Sequence, residues 1–162
     1  MSHGNPPSNT TPHVATNQYG RLLVMTAVSF AAMFVLMYAM VDVIGNAYPN
    51  LNQFYMAGLM AASMVAIEIA VMSSMYRNKK LNVGIGAAAV VALILCFVFI
   101  RLQTGIADRQ FLKSMIPHHA GAILMCERAS ISDTDIRRLC QDIIVGQQAE
   151  IAQMKAKLHE LR

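Results

Sequence analysis

Charged residues are scarce in this sequence: they make up 14% of its 162 residues, whereas hydrophobic residues make up 56%. This balance excludes an ordinary soluble domain, in which about a quarter of the residues are charged. The net charge of +4 does not indicate nucleic-acid binding, because no basic helix, glycine-rich phosphate loop or aromatic-basic surface accompanies it. The composition therefore indicates a membrane protein, with the lipid bilayer as a partner and no nucleic acid.

Three apolar segments are long enough to cross a bilayer, since about 20 helical residues span its roughly 30 Å hydrocarbon core. They run approximately from Leu22 to Ile44, from Phe54 to Tyr76 and from Val83 to Arg101, which predicts a three-helix transmembrane domain over residues 21–103. The apolar run of the first segment is too long for a cleaved signal peptide. Residues 1–20 are rich in Pro, Asn, Ser and Thr without hydrophobic periodicity, and they are predicted to form a disordered cytoplasmic tail.

Basic residues are distributed unequally between the two short loops. The loop after the second segment contains Arg77, Lys79 and Lys80, whereas residues 45–53 contain no Lys or Arg. The positive-inside rule places the basic loop in the cytoplasm. The amino terminus is then cytoplasmic, and the segment after Arg101 lies outside. We expect a protein of the bacterial inner (plasma) membrane whose carboxy-terminal domain is periplasmic or otherwise extracytoplasmic.

Beyond the third segment the pattern becomes amphipathic. It predicts an antiparallel hairpin of two helices, Asp108 to Ala129 and Asp133 to Leu161, within an extracytoplasmic domain of residues 104–162. Ser132 or Asp133 can cap the second helix. A hairpin of about 55 residues cannot bury a sufficient core alone. We therefore predict an all-α chain whose hairpin dimerises into a four-helix bundle, with docking against another protein as the alternative.

The first hairpin helix carries a candidate metal site. Met115 lies three and four residues before His118 and His119, the spacing at which helical side chains are neighbours. A thioether and two imidazoles within one turn suit a soft transition metal, copper first. When the hairpin folds about its turn, Gln147 and Glu150 fall near the same level, so polar groups from both helices are expected to meet there.

Two features of the helix itself bear on this site. Pro117 removes one backbone hydrogen bond, so the carbonyl of Lys113 loses its usual partner and a kink is expected. Successive helical residues point about 100° apart, so His118 and His119 cannot both occupy the centre of one face. We expect one imidazole to face the hairpin and the other to face a partner subunit.

The segment from Phe111 to Met125, followed by Ile144-x-x-Gln-x-x-Glu-Ile-x-x-Met154, resembles the domain of unknown function 305 family, whose pattern contains Met-x-x-His-His and ends in Gln-x-x-Glu-Ile-x-x-Met. The resemblance implies a ferritin-like helical bundle, frequent association with bacterial copper and heavy-metal resistance, and Met and His ligands in members that bind copper. It implies no established enzyme activity. Some relatives contain two hairpins and this chain contains one, which favours a homodimer. The metal-ligand candidates carried over are Met115, His118, His119, Met125 and Met154, with Gln147 and Glu150 as polar supports or further ligands.

Several of these residues have a second interpretation. Met125 and Met154 are each better explained as core-filling side chains, because Met packs well into irregular helical interfaces. Cys126 and Cys140 lie on opposite helices of the hairpin, where either a disulfide or a thiolate contribution to metal binding is possible. Cys96, in the third segment, is interpreted as an apolar packing residue.

Methionines also follow one face of the membrane segments. They are Met56, Met60, Met64, Met72 and Met75 in the second segment and Met33, Met37 and Met40 in the first. A thioether path for Cu(I) is one interpretation, but helix packing by flexible apolar side chains is the favoured one. Glu68 lies in the same stripe, and an ionisable group at mid-span usually faces a partner or a pathway.

Two enzyme classes are disfavoured by missing motifs. A di-iron centre draws on Glu-x-x-His pairs, and a zinc hydrolase on a spacing such as His-Glu-x-x-His; neither motif is present. The sequence therefore predicts a membrane-anchored, extracytoplasmic protein without enzyme activity that binds copper, as Cu(I) or Cu(II), for sequestration or delivery, with a metal transporter or metallochaperone as partner. The alternative is a structural or interaction module that dimerises or docks on a transporter without metal, through Ile136, Ile143 and Leu158.

Overall fold

The computed structural model describes residues 13–161, with side chains from residue 18 onward. Within that range the chain is helical and contains no strand, which confirms the all-α prediction. Five α-helices follow one another: α1 (His13–Leu36), α2 (Leu51–Val71), α3 (Lys79–Leu102), α4 (Asp108–Arg128) and α5 (Thr134–Glu160). Two short 3-10 turns, Met37–Met40 and Ile44–Asn46, lie between α1 and α2.

Helices α1, α2 and α3 form a three-helix domain. Each contains a segment long and apolar enough to cross a membrane: Gln18–Met40, Leu51–Val71 and Lys79–Leu102. The three predicted segments are thus helices that are long and apolar enough to cross a membrane, although their bounds differ from the predicted ones. Helix α1 begins at His13, inside the segment predicted as a tail, and residues 1–12 of that predicted tail lie outside the described residues.

The first span ends at Met40 and not at Ile44 because the side chain of Asp42 forms local hydrogen bonds that replace those of a continuing helix. Its Oδ1 accepts hydrogen bonds from the N–H of Val43 and from the side-chain amide of Asn46, both at 2.6 Å. These bonds favour the irregular connection that follows. The second span ends at Val71. Two serines follow shortly after, and serine hydroxyls can hydrogen-bond to nearby backbone groups in non-helical conformations.

The core of the three-helix domain is built from small and branched residues. Leu22, Val65, Ile69, Tyr76 and Ala89 form one buried cluster. Helices α2 and α3 are in close contact at Gly58, where an added Cβ would lie 2.9 Å from the sulfur of Cys96. Cys96 is a free thiol, and this contact agrees with its interpretation as a packing residue.

Helices α4 and α5 form the predicted antiparallel hairpin. Asp133 caps α5, since its Oδ1 accepts hydrogen bonds from the N–H groups of Asp135 (2.9 Å) and Ile136 (3.0 Å). The hairpin has its own buried cluster, but residues from the connection between α1 and α2 pack against it. The cluster consists of Ile116, Ala120, Ile123, Ile151 and Leu158, and the packed connection residues are Val41 and Tyr48. The three-helix domain of the same chain therefore covers part of the surface for which a second subunit was predicted.

Candidate metal site

Helix α4 is fixed to the start of α2 by a hydrogen bond that Pro117 makes possible. Pro117 lies inside α4 and cannot donate to the carbonyl of Lys113. The buried side chain of Asn50 donates to that carbonyl instead, at 3.4 Å. The same side chain caps α2 by accepting from the N–H of Gln53 at 3.0 Å. One asparagine thus links the hairpin to the three-helix domain.

Two neighbouring contacts reinforce this link. The N–H of Leu51 donates to Oε1 of Gln110 at 3.2 Å, and Nδ2 of Asn52 donates to Oγ of Ser114 at 3.3 Å. These contacts place one face of α4 against the end of the three-helix domain that carries the α1–α2 connection, which we call the hairpin end.

A cavity of about 590 Å³ lies at the hairpin end, between α4 and the adjacent ends of α1 and α2. Its distinguishing feature is sulfur: five thioethers and one imidazole line it, together with neutral polar side chains. These six residues, which we call the methionine cavity, are Met37, Met40, Met56, Met115, Met125 and His118. Three come from the three-helix domain and three from α4.

The donor set of the methionine cavity suits a soft metal ion. Thioethers select Cu(I), and imidazole is a common ligand for copper. The lining contains no carboxylate or thiol, and within residues 13–161 no group of three or more His, Cys, Asp or Glu side chains converges on one point. Hard cations prefer carboxylate and carbonyl oxygens, so the cavity favours Cu(I) over Mg²⁺ or Ca²⁺.

The cavity is open to solvent at its rim. Met40 and Met125 are each 54% exposed and Met56 is 41% exposed, while Met115 is half-buried and His118 is exposed. Flexible thioethers at an open rim can rotate inward around an ion. A metal ion could therefore enter without separating the hairpin from the three-helix domain.

The two histidines face different neighbours, as helical geometry predicts. His118 faces the three-helix domain, where a partner subunit was predicted. His119 faces α5, and its Nδ1 lies 2.9 Å from Oε2 of Glu150. The orientation of this contact does not meet hydrogen-bond geometry, so Nδ1 is buried without a hydrogen bond from any residue in the described part of the chain. The two groups form an ion pair only when the imidazole is protonated.

The remaining predicted ligands lie outside the cavity lining. Gln147 is half-buried on α5, and Met154 packs against the hairpin core. Leu158, which the interaction hypothesis used as a contact residue, is buried in that core and is only 8% exposed. The structure therefore places Met115, His118 and Met125 in the lining of one cavity and pairs His119 with Glu150, whereas Met154 does not line that cavity.

The sequence did not identify the cavity residues of the three-helix domain as metal ligands. Met37, Met40 and Met56 were noted as parts of methionine stripes, with helix packing as the favoured explanation. The available signal was their position: all three lie beside the loop of residues 45–53, and the predicted topology puts that loop and the hairpin on the same side of the bilayer.

Cys126 and Cys140 form a disulfide that joins α4 to α5, with their Cα atoms 5.2 Å apart. The sequence allowed either a disulfide or a thiolate metal ligand at these two cysteines, and the structure shows the disulfide. Disulfides persist in oxidising compartments. The crosslink closes the hairpin near its turn and restrains the helix that carries the motif.

The disulfide predicts how many thiols can be alkylated. In chain denatured without reductant, one thiol, that of Cys96, should react; after reduction all three cysteines should react. Intact-mass measurement after alkylation checks this. Cys96→Ser is the control and should show no reaction until reductant is added. Three reactive thiols in unreduced protein would contradict the crosslink.

Comparisons with known proteins agree with the motif. The family described as "Domain of unknown function (DUF305)" matches residues 99–158. Uncharacterized protein L153 of Acanthamoeba polyphaga mimivirus is 34% identical over 142 residues, which cover 86% of this chain and 91% of that protein. That alignment is longer than the matched domain, so it includes part of the three-helix domain. No solved structure matches the chain. The chain belongs to the DUF305 family, whose domain here comprises the end of α3 and the α4–α5 hairpin.

Proposed function

We propose that this chain is a membrane-anchored protein that binds Cu(I) in the methionine cavity and serves in copper sequestration or delivery. The observation that carries the proposal is that five thioethers and one imidazole, from α4 and the three-helix domain, line one cavity. Met115 and His118 belong to the DUF305 pattern, and Met37, Met40 and Met56 extend their donor set. Thioethers and a metal-bound imidazole carry no charge, so the occupied site would keep the single positive charge of Cu(I).

Two features support an extracytoplasmic position for the hairpin. The α2–α3 loop contains Arg77, Lys79 and Lys80, and the positive-inside rule places such a loop in the cytoplasm. The hairpin lies at the other end of the three-helix domain and contains the disulfide, which fits an oxidising compartment. Both features point to an anchor that presents the cavity on the outer face of the membrane.

A second candidate function, an assembly module, has one observation in its favour. Helix α5 exposes Ile136 and Leu139, which are 50% and 56% exposed and lie three residues apart on one face. Exposed apolar side chains at helical spacing fit contact with another helix, either in a second copy of the chain or in a transporter. This face is separate from the residues that line the methionine cavity, so metal binding and assembly can be tested independently.

The neighbouring histidines provide a matched pair for testing copper binding. His118→Ala removes the imidazole of the cavity, whereas His119→Ala removes an imidazole of the same helix that faces Glu150. We expect His118→Ala to lower the Cu(I) affinity at least about tenfold, the smaller loss seen when a residue supporting a metal ligand is removed. His119→Ala should leave the affinity within about twofold of the wild type.

Anaerobic competition with a chromophoric Cu(I) chelator, on the full chain in detergent, measures both affinities. Circular dichroism confirms that each variant remains helical. Equal losses for the two variants would contradict the methionine cavity as the binding site. Failure of the wild-type chain itself to compete would reject copper binding and leave the assembly candidate.

A further inference from the structure

A second cavity lies beside the methionine cavity, in the groove between α1 and α2. Its volume is about 620 Å³. Four thioethers and one carboxylate line it, and we call these residues the inner methionine groove: Met33, Met60, Met64, Met72 and Glu68. Thioethers and a carboxylate are the donors of a site for a soft cation that also needs its charge balanced.

The linings of the two cavities contain methionines that are close in sequence. Met33 on α1 precedes Met37, in the 3-10 turn that follows α1, by four residues, and Met60 follows Met56 by four residues on α2. Residues four apart on a helix lie on one face, about 6 Å apart along the axis. Helix α2 therefore presents thioethers from the hairpin end toward the middle of the three-helix domain, and Met33 lies one helical turn before the thioethers of the 3-10 turn.

Core packing accounts for only some of these methionines. The buried core of the domain consists of Leu22, Val65, Ile69, Tyr76 and Ala89. Met64 and Met72 pack against that core. Met60 does not belong to this packing layer; it is 41% exposed and faces the groove. Met60 thus lies on an open surface of the domain, whereas Met64 and Met72 border both the groove and the core.

Glu68 is the ionisable side chain in the lining of the groove. The hydroxyl of Tyr76 donates to its Oε1 at 2.9 Å, and no residue in the described part of the chain donates to Oε2. Burial, and then the hydrogen bond to Glu68, raise the pKa of Tyr76 above its ordinary value, so the hydroxyl remains a donor at neutral pH. A lone carboxylate within an apolar helix is costly unless a cation or a hydrogen-bond donor compensates it.

We infer that the inner methionine groove is a second Cu(I) site, in which the thioethers bind the ion and Glu68 balances its single positive charge. This inference rests on the proposed copper function and deepens it. A metal ion released from the methionine cavity could bind next at this site, which lies further along α1 and α2. The chain would then move copper into the membrane domain as well as hold it at the surface.

The stoichiometry of Cu(I) binding tests the second site. The full chain in detergent is titrated anaerobically with Cu(I), and native mass spectrometry counts the bound ions, with Ag(I) as a probe that does not change oxidation state. We expect the wild-type chain to bind one ion more than Met60→Leu/Met64→Leu. Met25→Leu/Met75→Leu is the matched control, because neither residue lines either cavity, and it should retain the full count.

Two further variants separate this inference from the proposed function. Glu68→Gln keeps a hydrogen-bond acceptor for Tyr76 but removes the carboxylate, so it should also lose the second ion. Because this variant leaves every methionine in place, it tests the site even if Met60→Leu/Met64→Leu misfolds. Met115→Leu/His118→Ala should lose the ion of the methionine cavity and keep the inner one. A wild-type chain that binds a single ion, lost only in Met115→Leu/His118→Ala, would overturn the second site and leave the proposed function intact. A wild-type chain that binds no ion would reject both.

Discussion

Replacing Met37, Met40 and Met56 together with leucine should lower the Cu(I) affinity of the full chain by about 100-fold or more. The estimate is conservative, because losing a single residue that supports a metal ligand already costs about 10-fold to 100-fold. All three residues lie outside the segment matched by the DUF305 family. A large loss would therefore show that the three-helix domain supplies ligands and does more than anchor the hairpin.

Leucine preserves the apolar character and approximate volume of methionine, so exchanges of this kind usually change stability by less than about 1.5 kcal/mol each. The matched control is the triple variant Met25→Leu/Met75→Leu/Met154→Leu, whose residues lie outside both methionine-lined cavities. Competition with a Cu(I) chelator compares the two variants. Equal affinities would mean that α4 binds the metal without help from the three-helix domain.

Asn50→Ala should destabilise the chain by about 2 kcal/mol or more and lower its Cu(I) affinity. The substitution removes the cap of α2, which costs about 0.5–2 kcal/mol. It also leaves the carbonyl of Lys113 without its partner, and an unsatisfied buried polar group costs about 1–3 kcal/mol. Affinity falls because the bond between Asn50 and Lys113 holds the two halves of the methionine cavity together.

Asn78→Ala is the control for this prediction. Asn78 caps α3 in the same way, accepting from the N–H of Leu81 at 3.1 Å, but it lies in the α2–α3 loop, away from the hairpin end. Its replacement should cost only the cap, about 1 kcal/mol, and should leave copper binding unchanged. Thermal unfolding in detergent and chelator competition measure the two effects. Equal effects of both variants would show that Asn50 acts only as a cap.

Much of the hairpin could be predicted because its signals are local. An amphipathic repeat and a polar turn placed the first hairpin helix at Asp108–Ala129, and α4 is Asp108–Arg128. The capping residue Asp133 likewise marked the start of α5. The ends of the three apolar helices were less predictable, since a uniformly apolar sequence shows no change in hydrophobic periodicity where a helix ends. There the bounds depend on local competition, such as the hydrogen bonds that Asp42 makes to Val43 and Asn46.

The candidate site was only half predictable for a different reason. Met115 and His118 lie three residues apart on one helix, so spacing alone indicates that they are neighbours. Their contact with Met37, Met40 and Met56 depends on how the hairpin docks, which helical periodicity cannot specify. The unpaired carbonyl of Lys113 did follow from Pro117, but Asn50 as its partner required the tertiary structure.

The central claim is that thioethers from both parts of the chain bind Cu(I), and X-ray absorption at the copper edge tests it most directly. The full chain carrying Met60→Leu/Met64→Leu, which removes the inner site, would be labelled with selenomethionine and loaded with one equivalent of Cu(I) under anaerobic conditions. The account predicts clear Cu–Se scattering that decreases in Met115→Leu and decreases further when Met37, Met40 and Met56 are also replaced by leucine. A spectrum with nitrogen or oxygen scattering and no selenium contribution would contradict it.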